Sequence, residues 1–341
     1  MLKSWIAALC FAVLGSTARD GTSFVAADEW DDQADAIVAN FSLHDIIGQM
    51  TQLAIYQVMT EDMELDEDIV RANAKMGVGS YLGAPLSTGY ATIINDTYAW
   101  TAEHFRSVIS RIQEITMEEN GGHPIVYGLD SVHGAGYLMD AVIFGHQING
   151  GASFNPDLVY EMGRVTGRDT LAAGAPWIFS PMLEVSQNLL WSRTFESFGE
   201  DPHLVSVMAD AVVRGIQSNN GTAACMKHFI AYSKTPSGHD KDGVTISDFD
   251  LLNYFVPPFK AAIGAGAMTV MENYISVNGV PVVENAKLLK KLLRHDLGFN
   301  GVATTDYNEV NTLQSFHRTA RNTDEATRMS LTRSSIDMSM V

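Results

Sequence analysis

GVATTDYNEV, residues 301 to 310, opens as a short apolar strand and closes by presenting Asp306 and Tyr307. Six other runs share that form: GVGSYLG (77–83), PIVYGLD (124–130), WIFSPMLEV (177–185), CMKHFI (225–230), AMTVMENYI (267–275) and SIDMSM (335–340). Each is short, continuous and bounded by turn residues, which predicts buried strands. An eighth is expected near residues 51 to 59 or 141 to 150. Amphipathic helix candidates lie between them: DIIGQMTQLA, TAEHFRSVISRIQEIT, NPDLVYEMGRVTGRDTLA, PHLVSVMADAVVRGIQ and AKLLKKLLRHDLG. Strands alternating with helices imply parallel pairing through helical crossovers, in a closed barrel or an open doubly wound sheet. Neither GxGxxG nor GxxxxGK[ST] follows any strand, so a TIM-type (β/α)8 barrel is favoured over a nucleotide-binding sheet.

The chain has 341 residues, long enough for a single barrel of about 250 residues or more. Its first residues, MLKSWIAALCFAVLGSTA, set Lys3 ahead of an apolar run and end in small residues, which predicts a secretory signal peptide over residues 1–18. That run is shorter than the roughly 20 residues a bilayer span needs. Residues 19–39 are expected to form an N-terminal extension, and 40–341 the barrel domain. Loss of Cys10 with the signal would leave Cys225 alone, with no internal disulfide, so the fold must rest on its core. Sequons at Asn40, Asn95 and Asn220 are compatible with a secreted or lysosomal glycoprotein. With 22 basic and 40 acidic residues the formal charge is −18, which excludes a basic nucleic-acid surface and suits a neutral substrate.

The chemistry is expected where the strands end. Asp130, Lys227 with His228, Tyr274 and Asp306 each close an apolar run, and in a parallel barrel those ends share the face that carries active sites. No serine elbow, HExxH motif or cysteine pair is present, so serine and metal hydrolysis lack support and no metal or cofactor is implied. Two options remain: Lys227 as a Schiff-base nucleophile, or Asp306 as a nucleophile on a sugar.

WSRTFESFGEDPHL (191–204) decides between them, together with GLDSVHG (128–134), MKHF (226–229), ENYISVNGVP (272–281) and GFNGVATTDY (298–307). These five motifs, in this order, resemble glycoside hydrolase family 3, and among its members the lysosomal or secreted β-glucosidases. The resemblance runs from about residue 40 to the last residue.

It implies an exo-acting, retaining β-glucosidase that removes terminal non-reducing β-D-glucosyl residues, with Asp306 as the nucleophile. Asp130, Arg193, Lys227 and His228 then match groups that grip the sugar's hydroxyls, Tyr274 matches an aromatic beside the nucleophile, and Tyr307 shapes the pocket. Arg193 or Lys227 would keep the Asp306 carboxyl acidic. Glu196, Glu200 and Asp201 are expected to fix the Arg193 loop and cap the helix that begins near Pro202.

The sequence departs from the family pattern at Gly145, where proline is usual, and at Gly136. It also ends on the expected last barrel strand. The C-terminal α/β sandwich domain that carries the family's acid/base glutamate is therefore expected to lie outside this chain. Two alternatives stand beside this reading. One is a catalytically impaired barrel that still binds glucosides. The other is a single-domain β-N-acetylhexosaminidase using His239 and Asp240 in the loop IAYSKTPSGHDKDGV (230–244).

Overall fold

A computed structural model describes residues 29–84, 100–139 and 141–341. The expected signal peptide and the sequon at Asn95 lie outside the described residues.

Eight parallel strands form one sheet: β1 (Thr51–Ala54), β2 (Ser80–Leu82), β3 (Val126–Leu129), β4 (Trp177–Ile178), β5 (Ala223–Phe229), β6 (Thr269–Glu272), β7 (Val302–Thr304) and β8 (Ser339–Met340). Each of β2 to β7 pairs with the strand before it in sequence, and β8 returns to pair with β1 at Thr51↔Ser339 and Gln52↔Met340. On the other side Met338, the residue before β8, forms a bridge with Thr304 at the end of β7. The seam is tightened by Asn308 N–H donating to Met340 O at 2.8 Å and Val341 N–H donating to Gln52 O at 2.9 Å. The sheet thus closes as the TIM-type barrel favoured by the alternation together with the lack of Gly-rich phosphate loops.

Two layers follow from the patterning. Every residue of β5 is buried, as expected for a parallel strand covered on both faces. Inside the barrel Leu82, Trp177, Phe179, Cys225, Met271 and Met340 pack together, and Trp177 Nε1 donates to Thr269 Oγ1 at 2.7 Å. Outside, helices cover the strands. Asn155 caps Pro156–Ala172 and Asp201 caps Pro202–Gln217, each with proline in the first turn, where its missing N–H costs nothing. These two helices approach so closely that a Cβ at Gly215 would lie 2.1 Å from the carbonyl oxygen of Tyr160.

Three readings need correction. The eighth strand is at 51–54, inside the stretch DIIGQMTQLA read as one helix. The helix there covers only Leu43–Gln49 before the chain extends into β1. The alternative at 141–150 runs instead into the helix Gln147–Ala152. WIFSPMLEV forms a continuous strand only at Trp177 and Ile178, and beyond Pro181 it meets β5 again through a single bridge between Met182 and Lys227.

Candidate active site

Asp130 follows β3, Lys227 and His228 end β5, Tyr274 follows β6, and Asp306 and Tyr307 follow β7; Arg193 sits on the loop after β4. All seven border a single cavity of about 310 Å³ at the carboxyl ends of the strands. Glu196, Tyr137 and Met340 border it as well.

Lys227 and Asp130 form one side. Lys227 Nζ lies 2.6 Å from Asp130 Oδ1, with the lysine side chain 4% exposed and the aspartate 44%. Burial works to lower the ammonium's pKa, but the charge and hydrogen bond of Asp130 outweigh it and the net shift is upward. A permanently charged lysine is a poor amine nucleophile, which argues against the Schiff-base option.

Arg193 is held by Glu196, Nε to Oε2 at 2.5 Å, and its guanidinium lies 5.6 Å from the Tyr232 ring centre. Its pKa is raised: burial pulls down, but Glu196 and Glu184 prevail. Both other carboxylates on the cavity wall, Asp130 and Glu196, are therefore already paired with a cation.

His228 is buried between two acids. Its Nδ1 is 2.6 Å from Glu184 Oε1, which also accepts the His228 main-chain N–H at 2.8 Å, and its Nε2 is 3.5 Å from Asp306 Oδ2. Burial, then Arg193 and Lys227, push the imidazole well below its ordinary value, so it is neutral in the fold. Burial also pushes Glu184 up to about 7, against the pull of Arg193.

Asp306 Oδ1 accepts the Tyr307 N–H at 2.6 Å, while its Oδ2 is buried with no hydrogen-bond partner. From the motifs, Arg193 or Lys227 is expected to hold this carboxyl acidic. Both do pull it down, along with the Tyr307 N–H, but burial outweighs them and the net shift is upward. Tyr274 donates its hydroxyl to the Tyr307 carbonyl at 3.0 Å, and the Tyr307 hydroxyl meets that of Tyr56.

The loop after β5 is organised differently from the hexosaminidase alternative. His239 and Asp240 are exposed and do not border the cavity. Asp240 accepts the Tyr232 hydroxyl at 2.5 Å, and Lys241 Nζ sits 3.7 Å from the ring centre of Tyr274.

Sequence reasoning missed Glu184, Glu272, Glu309 and Tyr56. The available signal was a lone acid inside an apolar run, as in PMLEV and TVMEN. Such a group is expensive to bury without a purpose. Chemically, the cavity wall holds one carboxylate oxygen without a hydrogen-bond partner, a neutral imidazole and two fixed cations. That set fits a neutral ligand rich in hydroxyl groups.

Comparison with known proteins agrees. The glycosyl hydrolase family 3 N-terminal domain matches residues 54–341. A lysosomal beta glucosidase of Dictyostelium discoideum is 39% identical over 325 residues, covering 91% of this chain and 39% of that protein. A periplasmic beta-glucosidase of Salmonella typhimurium is 33% identical over 222 residues, covering 64% of this chain and 28% of its own. The crystal structure of a beta-glucosidase from Listeria innocua in complex with isofagomine superposes with a TM-score of 0.77 at 30% identity, covering 91% of this chain and 41% of that one. The same enzyme in complex with glucose gives 0.77 at 29% identity. The chain thus spans well under half the length of these relatives. From the motifs, the barrel and the match across residues 54–341, the chain belongs to glycosyl hydrolase family 3 and carries its N-terminal domain.

Proposed function

We propose that this barrel binds a terminal non-reducing β-D-glucosyl residue and supplies the nucleophile for its hydrolysis with retention. The single observation that carries the reading is the unpartnered Oδ2 of Asp306, buried 3.5 Å from His228 Nε2 on a cavity that Lys227 and Arg193 also line. Asp306 attacks the anomeric carbon, the glycosidic oxygen leaves with a proton, and a glycosyl ester forms that water then cleaves. Lys227 paired with Asp130, Arg193 held by Glu196, and His228 orient the ring by hydrogen bonds to its hydroxyls, while Tyr274 and Tyr307 close its flank.

The leaving-group proton needs a second carboxyl group about 5 to 5.5 Å from the first. Asp130 and Glu196 are both committed to cations, so the donor is assigned to a segment beyond the described barrel, as in the second domain that the family resemblance implies. General acid catalysis contributes roughly 100- to 10,000-fold, so the barrel alone is expected to favour activated leaving groups. A small or oligomeric β-glucoside is the proposed substrate, encountered along a secretory or lysosomal route. The relatives named lysosomal and periplasmic support that compartment.

The test is incubation with a dinitrophenyl 2-deoxy-2-fluoro-β-glucoside, followed by peptide mass analysis, alongside turnover of an aryl β-glucoside. Labelling of Asp306 supports the reading. Glucose binding with neither labelling nor turnover replaces it with a silent glucoside-binding barrel. Turnover confined to N-acetylglucosaminides would restore the His239 and Asp240 alternative.

A further inference from the structure

The ENYISVNGVP stretch gives Tyr274 to the cavity but begins with a glutamate that the proposed reaction does not use. Glu272 is the last residue of β6, is 1% exposed and does not border the cavity. Its Oε1 accepts the main-chain N–H of Asp306 at 3.2 Å, and its Oε2 is buried with no hydrogen-bond partner. The groups that face it are themselves acids, Asp306 at the end of β7 and Glu309 at the start of the helix Glu309–Ser315.

Three carboxyl groups packed together in a dry interior cannot all be ionised, and the surroundings decide which one keeps a proton. Asp306 has Lys227, Arg193, His228 and the Tyr274 hydroxyl around it. Glu309 accepts the Thr312 hydroxyl at 2.8 Å and lies 3.4 Å from His317 Nε2. Glu272 has only main-chain amides, those of Asp306 and its neighbour Asn273. A neutral acid can still accept an N–H through its carbonyl oxygen, and an uncharged orphan oxygen costs far less than a charged one.

We propose that Glu272 is a positioning residue for the nucleophile: a carboxyl group kept as the neutral acid, which anchors the main chain of Asp306 without placing a second negative charge beside it. Burial, Glu309 and Asp306 all push Glu272 in that direction. The inference rests on the proposed reaction only in giving Asp306 the nucleophile's part.

Infrared spectroscopy of the whole chain at pH 9, above the range near 7 in which Glu184 and Glu309 release their protons, in H2O and D2O, tests it directly. A protonated-carboxyl C=O band that shifts with deuterium is expected to lose intensity in Glu272→Gln and to keep it in Glu309→Gln. No such band, or no loss of it in Glu272→Gln, overturns the proposal. Failure of Glu272→Gln to fold overturns it too, because that variant is the neutral isostere of the state proposed.

Labelling by the fluoroglucoside gives the second readout. Glu272→Gln should label within about twofold of the unaltered chain and with the same pH profile, whereas Glu272→Ala, lacking the acceptor, should slow about tenfold or more. A Gln variant as slow as Ala, or one whose profile shifts toward acid, overturns the proposal. If even the unaltered chain fails to label, the reaction reading fails while the infrared result still decides Glu272.

Discussion

Nδ1 of His228 and Oε1 of Glu184 stand 2.6 Å apart in the interior, and the same oxygen takes the His228 main-chain N–H. Glu184 therefore fixes the imidazole's rotation and turns its Nε2 toward Asp306 and the cavity. Glu184→Ala leaves the imidazole and a main-chain N–H unpaired, and should cost about 1–3 kcal/mol in urea unfolding. Glucose affinity measured by calorimetry should fall with it. Glu184→Gln keeps an acceptor and should lose less of both.

Asp306→Asn should abolish labelling by the fluoroglucoside yet leave the fold no less stable. The folded-state carboxyl is shifted upward, mainly by burial, so at neutral pH its ionised form is a burden on the native state. Replacing it by a neutral amide relieves that burden, a trade between stability and activity often seen at catalytic groups. Scanning calorimetry at pH 7 should show a melting temperature equal to or above that of the unaltered chain.

Glu309→Gln should change how stability depends on pH. Burial raises Glu309 from 4.5 to about 7, so between those values the folded chain holds a proton that the unfolded chain has released. Stability from this group accordingly falls as pH rises through the window and stays low above it. His228, depressed from 6.5, works in the opposite direction on the acid side, so the informative quantity is the difference between variant and unaltered chain. Urea midpoints should show the variant gaining on the unaltered chain from pH 5 to pH 8.

Tyr56→Phe removes the hydroxyl that meets Tyr307 at the cavity rim. Both side chains are partly exposed, so unfolding free energy should change by less than about 1 kcal/mol. Freed from this tie, Tyr307 should hold a sugar less well, and glucose binding should weaken by up to about fivefold, the equivalent of one net hydrogen bond. Calorimetric titration of both proteins checks it.

The fold was legible where a local signal sufficed. NPDLVYEM and DPHLVSVM each announce a helix by an acceptor side chain followed by proline, and the helices Pro156–Ala172 and Pro202–Gln217 begin there. β1 was obscured because its four residues continue the helical period of the segment before it. The polar residues that end apolar runs could be gathered from sequence because a parallel barrel puts all such ends on one face. Glu184 and Glu272 could not, since each reads as an interruption of a strand. Their meaning lies in partners 44 and 34 residues away, namely His228 and Asp306. The ionisation of Asp306 was misjudged for a related reason: nearby cations can be inferred from motifs, but the depth of burial that opposes them cannot.

The seam between β7, β8 and β1 sets the order in which this protein becomes competent. β8 must return to β1 from nearly the far end of the sequence, the most costly loop closure in the barrel, and such contacts form late. Asp306 and Tyr307 stand beside that seam, with the Asn308 N–H bonded to Met340. The cavity is thus expected to be completed at the end of folding, and a partly assembled barrel, however much of the sheet it has built, lacks the wall that Met340 provides.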